Sequence, residues 1–314
     1  MNSSGLKLAY LCAIMNAMII GFSFLFTKIA LEFADPMDTL TFRFAASFAA
    51  MSIPVLLGRV RLNYRGKKLR KVVLLAILYP LAFFALQSYG LKYTTSSEGG
   101  ILLAFTPVLT LLLAFLFLKE TTTLLQKLSI CLSVSGVLFI FIMKGSGIDW
   151  SNMTGIVLLF LSCLAIAGYN VLARRLLKSF SPAEITYVML GIAFLSFLAM
   201  SLAGHTAAGT LDQLFSPLAS GAFVAAILYL GVLSTLVTAL SSNYALSRIE
   251  ASKMSVFSNL STIVSIAAGA LLLGEEIRMY HIVGAALIIV GVIGTNLLGT
   301  SSSPSFPAKS IRRQ

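Results

Sequence analysis

The sequence predicts an all-α integral membrane protein whose ten transmembrane helices form two five-helix inverted repeats. Its composition, the length of its apolar runs and the similarity of its two halves predict this fold. Apolar residues make up 58% of the 314 residues, charged residues only 11%, and the mean hydropathy is +0.94. A soluble domain carries roughly 25% charged residues. Because this chain has too little charge to cover a surface in water, we expect most of its surface to face lipid.

Ten apolar runs are long enough to cross a membrane, since a hydrocarbon core about 30 Å thick takes roughly 20 residues of helix. Charged residues, Gly, Pro or Asn separate the runs. The connections are short, except for the loop after the seventh run. The Ser-, Pro- and Arg-containing tail at 300–314 is predicted to be disordered. The runs cover 6–27, 37–58, 71–91, 97–118, 124–144, 153–174, 183–203, 220–246, 251–273 and 279–299.

Lys and Arg residues collect on one side of the ten runs. Eighteen lie on the side that holds both termini, four lie on the other side, and Arg43 lies within a run. Cytoplasmic loops carry the excess of Lys and Arg in membrane proteins, so both termini are predicted to be cytoplasmic, in the cell (inner) membrane. The net charge of +12 is therefore expected to contact anionic lipid headgroups. Nucleic acid is not an expected partner, because no stacking aromatic residues accompany the basic ones.

The two halves are similar without gaps. A shift of 155 residues gives nine identities over positions 89–138, among them Tyr89 on Tyr244 and Glu120 on Glu275. The predicted repeats are 1–146 and 147–299. Five crossings return the chain on the far side, so the second repeat enters the membrane upside down. Inverted repeats of this kind are typical of secondary transporters.

Short motifs recur in a set order in both halves of the chain. They are Gly21 to Lys28, Arg43-Phe44, Ala85-Leu86, Leu91 to Thr94, Thr106-Pro107, Leu118 to Glu120 and Ser135 to Val137, echoed by Tyr244 to Leu246, Leu273 to Glu275, Gly284 and Gly291-Val292. These motifs, in this order, resemble the EamA-like family of the drug/metabolite transporter superfamily, of the ten-helix type. The resemblance spans about residues 8 to 298, with two departures: Ile20 stands where relatives commonly have Trp, and Thr262 stands opposite Pro107. It implies alternating access around a central cavity lined mainly by helices 1, 3, 4, 6, 8 and 9. It also implies that the cargo is an amino acid, another metabolite or a drug, usually moved outward.

The predicted function is a secondary transporter that exports a small organic metabolite, an amino acid or a related compound, by alternating access. The alternative is a polytopic membrane enzyme that acts on a lipid or prenyl substrate. No catalytic residues are assigned, since the acidic residues are scattered and His205 and His281 are isolated in the sequence. No phosphate-binding loop of the GxxxxGK[ST] type occurs. No metal or cofactor is predicted.

Polar side chains within the apolar runs are the candidate cargo-binding residues, because polar groups at membrane depth face the bundle interior or a wet cavity. Asn16 and Asn259 lie near the middle of the first and ninth runs, and their amides both donate and accept hydrogen bonds. The alternative is that each amide only ties two helices together. The further candidates are Tyr79, Gln87, Phe105, Tyr229 and Asn243.

Arg43 lies within the second run, about 10 Å inside the outer end of the second helix, where a partner or water must compensate its charge. Its expected partner is Glu98, or else Glu32, Asp35 or Asp38. One hypothesis is that Arg43 forms an outer gate with Glu98 or attracts the carboxylate of the cargo. The other lets its side chain reach the lipid headgroups.

Two further features of the runs suggest movement and packing. Pro80 and Pro107 are expected mid-helix, as hinges or tolerated kinks. Small residues at seven-residue spacing in helices 5 and 10 are expected to pack closely, within the chain or in a homodimer.

Overall fold

The fold is a bundle of apolar helices. The computed structural model describes residues 3–93, 102–120, 122–143, 153–273 and 277–298, and every regular element within these ranges is helical. We number the ten long helical stretches α1 to α10. They are α1 (Ser3–Leu31), α2 (Pro36–Leu56), α3 (Arg70–Ala76, Ile77–Ala82 and Phe83–Tyr93), α4 (Thr106–Leu118), α5 (Leu124–Met143), α6 (Met153–Leu176), α7 (Pro182–Ala208), α8 (Gly221–Leu228, Tyr229–Val237 and Thr238–Leu246), α9 (Ala251–Val256, Phe257–Asn259 and Leu260–Leu273) and α10 (Met279–Leu297).

Eight of these stretches are long and apolar enough to cross a membrane, so the protein is an all-α multi-pass membrane protein. The other two are α4, which is shorter, and α9, which is broken within its length. The predicted fourth run, 97–118, starts in residues that lie outside the described ranges. The tail predicted to be disordered lies outside them too.

Local sequence signals explain where several helices begin and end. The side chain of Ser181 accepts a hydrogen bond from the Glu184 N–H, and Pro182 occupies the first turn of α7. This is a capping box, which satisfies backbone donors that have no partner within the helix. Gly209, with a φ of +69°, ends the same helix in the left-handed conformation that glycine adopts without strain.

The helices pair in a pattern that repeats after five helices. α1 packs on α8 and α9, and correspondingly α6 packs on α3 and α4; α2 packs on α7, α5 on α10, and α4 on α9. When five is added to each helix number, counting on from α10 to α1, the pairs of α1 become the pairs of α6. The other three pairs are unchanged. Two related halves would give this pattern. The division at residues 146 and 147, and the inverted orientation of the second half, stay predictions.

The contact between α5 and α10 is a seam of small residues within one chain. A Cβ atom added to Gly136 would lie 2.7 Å from the carbonyl oxygen of Gly284, and one added to Gly291 would lie 2.5 Å from the backbone nitrogen of Ser133. Such close approach needs glycine. Because the small faces of both helices are used within the chain, a homodimer through α5 and α10 would have to use their outer faces. The dimer stays a prediction.

Breaks in the helices fall at corresponding places in the two halves. In α3 the segment Ile77–Ala82 is π-helical, and Tyr79 has extended backbone angles (φ −145°, ψ 123°). The 155-residue shift carries this segment onto 232–237, which lies within the π-helical segment Tyr229–Val237 of α8. The same shift carries the turn at 104–105, just before α4, onto 259–260, where the 3₁₀ segment of α9 ends.

Different residues produce these breaks. Pro80 has no N–H and therefore interrupts the hydrogen bonds of α3. α8 has no proline; there, Thr235 Oγ1 donates to the Leu230 carbonyl (2.8 Å) and Thr238 Oγ1 donates to the Ser234 carbonyl (2.7 Å). Such hydroxyls satisfy backbone oxygens that a regular helix would pair. Pro107 lies in the first turn of α4, where no intrahelical donor is lost. Pro107 is therefore not inside a continuous helix but follows the turn at 104–105 within the predicted run 97–118. Its role as a hinge or a tolerated kink stays a prediction.

Both described chain ends lie at the same end of the bundle. A Cβ atom on Gly5 would lie 3.3 Å from Arg248 Nε, and Thr123 Oγ1 donates to the Leu298 carbonyl (2.9 Å). These contacts join the start of α1 to the end of α8 and the start of α5 to the end of α10. We call this the termini end.

Candidate functional site

Arg43 is buried between α2 and α8 at the π-helical segment of α8. Its Nε donates to Thr235 Oγ1 (2.6 Å), and its Nη2 lies 3.3 Å from Ser234 Oγ and 3.4 Å from the Ser234 carbonyl oxygen. The guanidinium lies over the ring of Phe84, 5.0 Å from its centroid. The side chain is 9% exposed, so it does not reach out to the headgroups. The hypothesis that it does is wrong.

The acidic partners expected for Arg43 are not found among the described residues. No carboxylate of the described chain forms an ion pair with it. Asp38 instead accepts hydrogen bonds from the Ser201 hydroxyl and from Nε2 of His205 (2.9 Å). Glu98, the expected gating partner, lies outside the described residues.

The Asp38 cluster joins the start of α2 to the end of α7. His205 Nδ1 lies 2.8 Å from Thr210 Oγ1, so both ring nitrogens have partners. The sequence suggested that His205 is isolated, but in the structure it is bonded to Asp38 and Thr210. Ser201 and His205 are four residues apart, on one face of α7, which is the signal that single-residue inspection missed.

Asn16 is the candidate whose environment fits cargo binding best. It is 4% exposed, and its Oδ1 has no hydrogen-bond partner among the described residues. Thr110 Oγ1, on α4, is also buried and unpartnered in the described part of the chain. A buried polar atom without a partner is costly. These two atoms therefore have unused capacity to bind a ligand or water. Thr110 was missed, although its four-residue spacing from Thr106 in an apolar run marks a polar face.

Both the oxygen and the nitrogen of the Asn243 amide have hydrogen-bond partners within the protein. Its Oδ1 accepts from the Tyr169 hydroxyl (3.0 Å), and its Nδ2 donates to Thr186 Oγ1 (3.0 Å), so α6, α7 and α8 are joined. The ring of Tyr169 packs at 4.8 Å from that of Tyr79 in the broken part of α3. Asn243 is 0% exposed. In this structure it ties helices and holds Tyr169 beside Tyr79.

The remaining candidates lie on four different helices. Tyr229, at the start of the π-helical segment of α8, donates to the Ile19 carbonyl (3.0 Å) and stacks on Phe26 at 4.0 Å. Asn259, at the break of α9, donates to Ser133 Oγ on α5 (3.0 Å). Gln87 is half-buried in α3, and Phe105 is exposed just before α4. Tyr229 and Asn259 thus make interhelical bonds, as the alternative proposed for the asparagines requires.

Glu120 forms hydrogen bonds to α9 at the termini end. Its carboxylate accepts from the Ala251 N–H (3.2 Å) and from the Ser252 hydroxyl (3.1 Å), at the first turn of α9. A carboxylate is stabilising beside the N-terminus of a helix. Burial nevertheless raises the pKa of Glu120 above its ordinary value of 4.5. The residue thus joins the loop after α4 to α9, in the other half of the chain.

Metal chemistry has no visible support. Within the described ranges, no three His, Cys, Asp or Glu side chains come together as metal ligands. The expected absence of a metal or cofactor stays a prediction, as do the expected lipid and cargo partners.

A bundle of apolar helices with matched breaks and buried polar groups defines a multi-pass membrane protein as the class, with an architecture that is typical of transporters. The comparisons with known proteins agree. The EamA-like transporter family model matches residues 7–142 and again residues 153–297. The chain therefore belongs to the EamA-like transporter family.

Relatives named as transporters match most of the chain. An "Uncharacterized transporter YcxC" of Bacillus subtilis is 47% identical over 303 residues, which cover 96% of this chain and 97% of the relative. An "Uncharacterized transporter" of Archaeoglobus fulgidus is 27% identical over 275 residues, which cover 87% of this chain and 92% of the relative. One solved crystal structure matches with a TM-score of 0.78 at 17% identity, over 92% of this chain and 98% of that chain. That last match shows the fold alone. The family and its relatives indicate a transporter and not an enzyme.

Proposed function

We propose that this protein is a secondary transporter that moves a small organic metabolite, an amino acid or a related compound, out of the cell by alternating access. The observation that carries the proposal is the set of matched breaks: the break in α3 with the break in α8, and the turn just before α4 with the break in α9. Broken helices expose backbone groups at membrane depth, and such groups are tolerated where they line a cavity or are buried in protein. Equivalent breaks in the two halves give each half the same means of bending.

Cargo is proposed to contact Asn16, whose amide oxygen is buried without a partner among the described residues. Tyr79, Gln87, Phe105 and Tyr229 are proposed as further contacts. Asn243 and Asn259 are proposed to support these residues, because their amides already bond to other helices. Both termini are proposed to face the cytoplasm of a cell whose inner membrane holds the protein. Glu120 then holds the cytoplasmic side closed, and cargo entry from that side requires its bonds to α9 to break.

Transport is tested with the purified full-length chain in liposomes. Counterflow is measured first with labelled amino acids and then with other metabolites, with and without an imposed proton gradient. The proposal expects saturable, cargo-selective flux. A chemically altered product without net flux would support the alternative, a membrane enzyme. Flux that does not saturate would indicate a channel.

Two matched variants test the assignment of residues. Asn16→Ala is expected to lower flux about tenfold, the effect of one lost hydrogen bond in the transition between states, with little change in thermal stability. Asn243→Ala removes a larger number of protein bonds, so it is expected to lower the unfolding midpoint while the folded fraction still transports. The reverse result, a stable but inactive Asn243→Ala and a fully active Asn16→Ala, would contradict the assignment.

A further inference from the structure

The feature that the proposed function leaves unexplained is a buried positive charge that has no counter-ion among the described residues. Arg43 is only 9% exposed, and no carboxylate of the described chain forms an ion pair with its guanidinium. An isolated charge removed from water is very costly unless it is paired. Arginine does not solve this problem by losing its proton, because the guanidinium stays protonated in proteins. The charge therefore needs an anion that the described protein does not supply.

The guanidinium is held in one orientation with one edge unused. Its hydrogen bonds to Thr235 and Ser234 involve Nε and Nη2, and the ring of Phe84 covers one face. Nη1 has no hydrogen-bond partner among the described residues, and it is not one of the fully enclosed atoms. Guanidinium edges bind carboxylates with high geometric specificity. Arg43 thus presents a pair of N–H donors at a fixed place.

The neighbours of Arg43 lie in or next to the broken segments of α3 and α8. Ser234 and Thr235 belong to the π-helical segment of α8, and Phe84 follows the π-helical segment of α3. The ring of Phe84 lies 5.7 Å from that of Tyr79, and both rings are half-buried. An anion bound at Nη1 would therefore touch both broken helices, one from each half.

We propose that Arg43 is the carboxylate-binding residue of the transporter and that its cargo is carried as an organic anion or zwitterion. The inference rests on the proposed function insofar as the anion is cargo, but the anion site itself is defined by Arg43 alone. Thr235 and Ser234 are positioning residues that aim the guanidinium. In this assignment the cargo carboxylate supplies the missing counter-charge when it binds. When the cargo leaves, the guanidinium of Arg43 is again without a counter-charge. Because Arg43 is bonded to Ser234 and Thr235, cargo binding is thereby coupled to the conformation of α8.

The experiment measures binding separately from transport. The thermal midpoint of the full-length protein in detergent is followed with acetate, with the standard amino acids and with the corresponding amino acid amides, which lack the negative charge. The wild-type protein is expected to be stabilised by acetate and by at least one amino acid. The matching amide is expected to need about a tenfold higher concentration for the same rise in the thermal midpoint. Arg43→Gln is expected to lose this discrimination, and Arg43→Lys to keep part of it, since lysine keeps the charge without the planar pair of donors.

A matched control separates anion binding from helix packing. Ser47 lies on the same face of α2, one turn from Arg43. Its hydroxyl proton is shared between the Gly231 carbonyl on α8 (2.7 Å) and the backbone carbonyl of Arg43 (2.8 Å). Ser47→Ala removes a bond between the same two helices without touching the guanidinium, so it is expected to keep carboxylate binding within about twofold. If Arg43→Gln fails to fold, Thr235→Val keeps the charge but loosens its aim, and about a tenfold weaker response to the amino acid is expected.

The outcomes for the two proposals are distinct. If no carboxylate, acetate included, stabilises the wild-type protein more than Arg43→Gln, the anion site is overturned, whatever the liposomes show. The anion site is also overturned if amides bind as well as acids. If carboxylates bind through Arg43 but no solute crosses the liposome membrane, the anion site stands and the proposed transport fails.

Discussion

Adding one methyl group to the seam between α5 and α10 tests how closely these helices pack. In Gly291→Ala the new Cβ would lie 2.5 Å from the Ser133 backbone nitrogen and 2.6 Å from the Ser129 carbonyl oxygen. Ordinary van der Waals contact begins at 3.4 Å, so the helices would have to separate by about 0.9 Å. Because both neighbours are backbone atoms, no side chain can turn away. Overpacking of this kind costs about 1–3 kcal/mol.

The expected net loss is smaller than the steric cost, because alanine is about 1 kcal/mol more favourable than glycine within a helix. We therefore expect Gly291→Ala to lower the free energy of unfolding by up to about 2 kcal/mol. Gly204→Ala, on α7, is the control, since its Cβ would meet nothing within 4 Å, and it is expected to stabilise by up to ~1 kcal/mol. Both are measured by thermal and denaturant unfolding in the same detergent. The reasoning is refuted if Gly291→Ala is as stable as Gly204→Ala.

Two further predictions concern the ends of the bundle. Burial raises the pKa of Glu120, so the folded protein holds this proton more tightly than the unfolded chain, and the contribution of this carboxyl to stability rises as the pH falls from neutral to about 5. In unfolding curves at both pH values, Glu120→Gln should lack part of that gain, and an unchanged gain would assign the pH dependence elsewhere. At the other end, Asp38→Ala should lower the unfolding midpoint, because it removes the acceptor of the hydrogen bonds from Ser201 and His205. Asp38→Asn, which keeps an acceptor, should lose clearly less; an equal loss in chemical denaturation would show that hydrogen bonding is not the cause.

The helical spans were predictable because the hydrocarbon core requires long apolar runs. The run predicted at 183–203 corresponds to Pro182–Ala208, and the run at 124–144 to Leu124–Met143. The helix breaks were only partly predictable. Pro80 indicated the break in α3, whereas the equivalent break in α8 contains Gly231, Ser234 and Thr235, a set that also occurs in regular helices.

The candidate site was harder to predict because the sequence does not show which bonds a polar group already makes. Asn16 and Asn243 look alike in the sequence, yet one amide oxygen is unpartnered among the described residues and the other accepts from Tyr169. The environment of Arg43 was missed for the same reason. Its partners are 191 and 192 residues away along the chain, and no local pattern points to Ser234 or Thr235 in preference to an acid.

Reversible cross-linking at the termini end tests alternating access most directly. In a chain whose three free cysteines are replaced, cysteines at Glu120 and Ser252 are joined by a short reductant-cleavable linker, and flux is measured in liposomes before and after reduction. A matched pair at Thr123 and Leu298, which are bonded at the same end, joins α5 to α10, where no separation is expected. The account predicts that the first link stops transport, that reduction restores it, and that the second link has little effect. Full transport through the linked Glu120 and Ser252 pair would contradict it.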